Sequence, residues 1–317
     1  AEAIAIRGER IVAVGASDEV LKSKGEKTQV IDLAGKMVLP GLMDSHVHPT
    51  GASMHEFDHP IPEMLTIADV LQYIEGRAKV VPEGNWILIR QVFITRLREQ
   101  RYPTREELDK AAPKHPVMFS TGPDGMLNSL GLQVSGIDKD FKVTGNGLIE
   151  KDPTTGEPTG MLRSCTRYAK TGNNKSPSTG KRATSEEKLA RLAALFHDYN
   201  SVGLTSVCDR DCSSGAIAEY QALREKNNLT VRMMISHGVD AQAKLEAVQE
   251  AIKKVAAHPL RKEDSRLRII GIKCYLDGGM LTGSAYMREP WGVSKIYSIT
   301  DPRYRGVLFI EPERLLP

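Results

Sequence analysis

The apolar positions divide the chain into stretches of different rhythm. Near the start, Ala3-Ile4-Ala5-Ile6 and Ile11-Val12-Ala13-Val14 flank a Gly8-Glu9 turn, and further short apolar runs follow around Gly35. Short runs broken by turn residues predict strands over 3–7, 10–14, 29–33 and 36–39, a small β unit filling residues 1–39. From residue 40 the character changes. Leu39-Pro40-Gly41-Leu42-Met43-Asp44-Ser45-His46-Val47-His48 reads as a short strand that turns polar at its end and stops at Pro49.

The stretch from about 50 to 183 carries mixed signals. Thr104-Arg105-Glu106-Glu107 is a capping box that predicts a helix start, Pro116-Val117-Met118-Phe119 is strand-like, and the Gly-, Pro- and Thr-rich 144–160 reads as loop. A regular alternation then begins. Thr184-Ser185-Glu186-Glu187 caps a helix with Leu189, Leu192, Leu195, Phe196 and Tyr199 on one face, ended by Gly203. A strand at 204–208, a helix near 214–226, a strand at 229–236, a helix at 241–256 and a strand from Leu267 to Leu276 complete it. Strands alternating with helices predict parallel βα units, four with 42–46 as the first. Their near-continuous apolar runs predict strands covered on both faces.

Composition changes little in this picture. Hydrophobic residues make up 40% and charged ones 26%, an ordinary globular balance. The net charge of +3 is spread among acids, so no basic stripe predicts binding to nucleic acid or anionic lipid. No run approaches the ~18 apolar residues that cross a bilayer. The four cysteines at 165, 208, 212 and 274 are too sparse for a disulfide scaffold; Cys208 and Cys212 lack the second pair of a zinc finger and read as core thiols. A cytoplasmic protein is expected, although the missing initiator Met leaves room for a removed signal peptide.

The chemistry concentrates at strand ends. Residues two apart on a strand share a face, roughly 6.6 Å apart, so His46 and His48 can reach one ion at the C-terminal end where parallel α/β folds place their sites. A bare H-x-H is more often two polar residues at a strand mouth; following Val38-Leu39-Pro40-Gly41-Leu42-Met43-Asp44 it reads as a metal pair. Lys273 sits in an otherwise apolar strand, where an unpaired ammonium costs several kcal/mol. Two remedies are open. A neutral amine can form a carbamate that bridges divalent cations, or Lys273 can pair with Asp44 or Asp209 on neighbouring strands. His237, Asp209 and Asp277 end the third, second and fourth strands; each could touch substrate or steady a metal ligand, or simply finish a strand. His55-Glu56-Phe57-Asp58-His59 matches the zinc-protease H-E-x-x-H, but that chemistry needs a helix, and Pro60 disfavours one.

The run from Val38 to His48 resembles the opening motif of the amidohydrolase superfamily. Pro103-Thr104 through Leu108-Asp109, His115-Pro116-Val117, Asn128-Ser129, Glu157-Pro158-Thr159-Gly160, Gly203-Leu204-Thr205-Ser206-Val207, Gly271-Ile272-Lys273 and Asp277-Gly278 are similar to its YtcJ-like branch, amidohydrolase family 3. The resemblance implies an α/β fold: a (β/α)8 TIM-type barrel over 40–317, of which about four βα units are present, with a large insertion over about 50–183. Residues 1–39 would belong to a small β-sandwich. It implies metal-dependent hydrolysis of C–N bonds, other than peptide bonds, in a small-molecule amide-type substrate. One or two divalent ions would serve, zinc first, with iron, manganese or nickel as alternatives. His46 and His48 inherit the metal-ligand role, and Lys273 aligns with a lysine that is carboxylated in two-metal members. A homo-oligomer is compatible with this reading. Where relatives often carry His before Asn-Ser, this chain has Gly122-Pro123-Asp124-Gly125-Met126, so Asp124 becomes a candidate for holding a cationic group. The family's later histidines and its catalytic aspartate are expected beyond Pro317, leaving no catalytic residue in this chain. The rival reading is a non-catalytic regulatory or scaffold protein that keeps the fold.

Overall fold

The computed structural model describes residues 1–90, 92–171, 183–262, 264–310 and 312. It divides into two compact units, Ala1–Pro40 and Gly41–Pro317. In the first, β1 (Ala3–Arg7) and β2 (Arg10–Gly15) form an antiparallel hairpin, followed by the short helix α1 (Ser17–Leu21). The strands expected over 29–33 and 36–39 do not form. A strand needs a partner ladder, and the hairpin provides the only one within this unit. Ile31, Met37 and Leu39 accordingly stay 68–81% exposed.

The second unit opens with β3 (Leu42–Val47) and α2 (Pro49–Ser53). Gly41 precedes the strand because a Cβ there would lie 2.1 Å from the Thr205 hydroxyl. The region read from sequence as mixed holds α3 (Ile67–Ala78), β4 (Ile87–Ile89), α4 (Arg105–Ala111), β5 (Val117–Thr121), β6 (Asp124–Leu127), α5 (Ser129–Ser135), β7 (Leu148–Lys151) and β8 (Pro158–Arg163). Its strands make one sheet in the order β4-β5-β6-β8-β7, parallel only between the first two. The loop expected over 144–160 is therefore partly wrong. Residues 144–147 and 152–157 are irregular, the latter a turn at Asp152 whose carboxylate accepts from the Thr154 and Thr155 amides at 2.9 and 2.8 Å, while Leu148–Lys151 and Pro158–Arg163 pair as β7 and β8. Residues 172–182, up to the expected end of the insertion at 183, lie outside the described residues.

Several of the family-like motifs turn out to hold this sheet together. Asn128 caps α5 and is fully buried. Its Oδ1 accepts from the Val117 and Gly131 amides at 2.8 Å, and its Nδ2 donates to the His115 carbonyl at 2.9 Å. Ser129 binds Asp109 through its amide and hydroxyl, at 2.7 and 2.6 Å. Gly160 has φ +102°, and a Cβ on it would press within 2.5 Å of the Leu127 carbonyl.

After α6 (Ser185–Ser201) come β9 (Leu204–Cys212), α7 (Ser214–Glu225), β10 (Arg232–Gly238), α8 (Leu245–Ala256) and β11 (Leu267–Lys273). The sheet order is β3-β9-β10-β11, all parallel and in chain order. One face packs with Leu192, Phe196, Ile217 and Tyr220 of the helices against Val207, Ile235 and Ile269. Cover on both faces was expected, and the other face is open: Leu42 is 58% and Ile272 40% exposed. Continuous apolar runs specify strands without specifying what covers their second face.

Candidate metal centre

The end of β3 is shaped by alternation. Val47 turns towards the helix-covered core, so His46 and His48 share the opposite side. Their rings stand edge to face with centroids 5.3 Å apart. The strand end is pinned on both sides. Asp44 accepts from the His46 amide at 2.9 Å, and the Arg210 guanidinium on β9 donates to the Ser45 carbonyl at 2.8 Å and to the Ser236 hydroxyl at 3.2 Å. Partial burial lowers the His46 pKa, helped by the charges of His48, Lys273 and Arg210 and opposed by Asp44. Such a shift favours the neutral imidazole, the form that binds metal. His48 Nδ1 lies 3.4 Å from Oδ1 of buried Asp209, a carboxylate behind the ring that leaves Nε2 to meet a ligand.

The other candidates divide. Lys273 comes near enough to act on His46, but it pairs with neither Asp44 nor Asp209. Its Nζ lies 4.7 Å from the centre of the Tyr275 ring, whose hydroxyl donates to Asp211 at 2.8 Å. Nor is its strand otherwise buried: β11 lies at the edge of the sheet, with Ile270 and Ile272 38% and 40% exposed. His237 spends both ring nitrogens locally, Nδ1 on the Gly238 carbonyl at 2.8 Å and Nε2 with the Ser214 hydroxyl at 3.2 Å. Asp277 closes a turn by accepting from the Tyr286 amide at 2.8 Å. Asp124 is sealed from solvent, accepting from the Ser164 amide at 2.7 Å with Arg163 at 3.8 Å. The cation it meets is therefore one of this chain's own side chains.

Cys208 and Cys212 are buried free thiols whose pKa burial pushes up. Residues 55–59 form turns and bends rather than a helix, and His59 is held by Asp58 and the Tyr73 hydroxyl at 2.9 and 2.6 Å. The protease arrangement is thus missing. Among the described residues no three His, Cys, Asp or Glu side chains converge as a ligand set. The two imidazoles nevertheless suit part of one: adjacent, unpaired with each other, and backed by a carboxylate. Sequence reasoning missed Arg210, whose role depends on the pairing of β3 with β9.

The family model described as amidohydrolase family matches residues 29–301. N-substituted formamide deformylase of Arthrobacter pascens is 31% identical over 76% of this chain and 44% of its own length. The exoenzymes regulatory protein AepA of Pectobacterium carotovorum is 26% identical over 89% of the chain and 60% of its own length. In structure, an uncharacterized metal-dependent hydrolase from Pyrococcus horikoshii matches with TM-score 0.54 and 20% identity, over 98% of this chain and 56% of that one. The chain spans about half the length of these relatives. Among the described residues no helix is long and apolar enough to cross a membrane. A family match over most of its length and a deformylase relative above 30% identity place the chain in the amidohydrolase family, in family 3.

Proposed function

We propose that this chain carries the first part of a hydrolase site that cleaves the C–N bond of a small-molecule amide-type substrate. The sheet β3-β9-β10-β11 would supply the first four βα units of a (β/α)8 barrel, and the first unit a portion of a small β-sandwich. The observation that carries the reading is the His46/His48 pair, two imidazoles 5.3 Å apart at one strand terminus with Asp209 behind His48. A divalent ion held there, zinc by preference, would supply an activated water and polarise the substrate carbonyl. The protein's own work is positional: Asp44 and Arg210 fix the strand end, and Asp209 orients His48. Lys273 would join the ligands as a carbamate, formed when its neutral amine adds to carbon dioxide and loses a proton. No side chain in this chain is assigned the proton transfer to the leaving amine.

The relative's name points to N-substituted formamides as the first substrates to test, with N-acyl amino acids beside them. Full-length protein should hydrolyse members of that panel, and His46→Ala should lose bound metal and turnover together. A His46→Ala protein with full metal and wild-type rates would contradict the assignment. The match to a regulatory protein favours a second reading, a non-catalytic member that keeps the fold. Metal binding without turnover on any of the panel would favour that one.

A further inference from the structure

Behind the strand end lies a contact between layers. Asp209 is the deepest group of the site, 2% exposed, and its two oxygens face different partners. Oδ1 accepts from the Asp211 amide at 3.2 Å and lies 3.4 Å from His48 Nδ1, and Oδ2 accepts from the Tyr220 hydroxyl at 2.8 Å. Tyr220 sits in the middle of α7, fully closed from solvent, among Phe196, Ile217 and the apolar face of the parallel sheet. A phenol could have been replaced there by phenylalanine at no cost in packing. Burying its hydroxyl is favourable because it meets an acceptor. Burial and the adjacent Asp209 carboxylate both push the phenol's pKa up, so it remains a donor.

From this geometry we infer that Tyr220 is a positioning residue for the metal ligand His48, acting through Asp209. The Tyr220 hydroxyl on Oδ2 and the Asp211 amide on Oδ1 together fix the carboxylate plane, and Oδ1 stands 3.4 Å from His48 Nδ1, where it can take up the proton on that nitrogen. His48 is then held in the tautomer whose Nε2 carries the lone pair. Helix α7 thereby sets the direction of a side chain at the end of β3 through one residue of the neighbouring strand β9. The inference rests on the proposed role of His48 as a ligand, and its test separates the two.

The test uses metal-free full-length protein with 15N-labelled histidine, together with zinc affinity measured by competition with a chelator. In the wild type, His48 should be protonated on Nδ1 at mildly alkaline pH. Asp209→Asn offers an amide donor to Nδ1, so the proton should move to Nε2, with zinc affinity reduced by about 10- to 100-fold. Tyr220→Phe keeps the packing and should mix the two tautomers, with a smaller loss of affinity, about threefold to tenfold. An unchanged His48 tautomer and wild-type affinity in both variants would overturn the inference while leaving the metal site standing. Wild-type zinc affinity in His48→Ala would overturn the metal assignment and the inference with it. A variant weakened only in global stability would leave the tautomer unchanged, which also counts against the inference.

Discussion

The five-stranded sheet seals its charges away, with Arg163 and Asp124 fully closed from solvent, whereas the four-stranded sheet carries His46 and His48 on an exposed strand end. Arg163 of β8 binds Glu150 at 2.7 Å, faces Asp124 at 3.8 Å, and donates to the Thr282 carbonyl at 3.1 Å and to the Tyr297 carbonyl. It therefore ties that sheet to the segment following β11. Of the two imidazoles only His48 faces a carboxylate, Asp209 at 3.4 Å, and both keep an exposed side. Charge that is internally satisfied holds a scaffold together, and charge left facing outward is available for chemistry.

The contrast can be broken most forcefully at Arg163. Arg163→Met leaves two buried carboxylates uncompensated and should destabilise the protein by about 3–5 kcal/mol, measured by denaturant unfolding. Burial first of all raises the pKa of both Asp124 and Glu150, with Arg163 opposing. An acid whose folded pKa exceeds its unfolded one costs stability as pH rises between the two, so the Arg163→Met deficit should shrink on acidification. A deficit independent of pH would contradict this account. Next in size, Asn128→Ala orphans the Val117 amide and the His115 carbonyl and should cost about 1–3 kcal/mol for each partner left unpaired. Retained stability would mean that this motif serves something other than the scaffold.

Smaller effects sharpen the comparison. Thr184 and Glu187 form a capping box at the start of α6, with contacts of 2.9 and 3.1 Å, and Thr184→Ala should cost about 1 kcal/mol. His46→Ala and His48→Ala, in metal-free protein, should change stability by no more than about 0.5 kcal/mol. A large loss from either would show that the imidazoles are structural.

What could be read in the sequence follows from how local each feature is. The boxes at Thr104 and Thr184 were legible because their contacts span three residues, as was His46-x-His48, because strand alternation alone puts both rings on one side. The box at Thr66, closed by Asp69 instead of Glu, went unread. The five-stranded sheet was largely illegible. Its strands run three to six residues, and Met126 pairs with Met161 across an intervening helix and strand, a match no local pattern announces. The partner of Asp124 was hidden for the same reason, since Arg163 comes from another strand. Arg210 and Tyr220 matter only because Val47 pairs with Asp209 and because α7 packs on that sheet. Register and packing direction are tertiary facts.

The central claim, one ion shared by two imidazoles, is tested most directly by anomalous diffraction at the zinc edge from crystals of the full-length protein grown with zinc. The account predicts a single strong peak within bonding distance of nitrogen atoms of both His46 and His48, lost in a crystal of His48→Ala. A peak bound elsewhere, with the two rings turned apart, would contradict it.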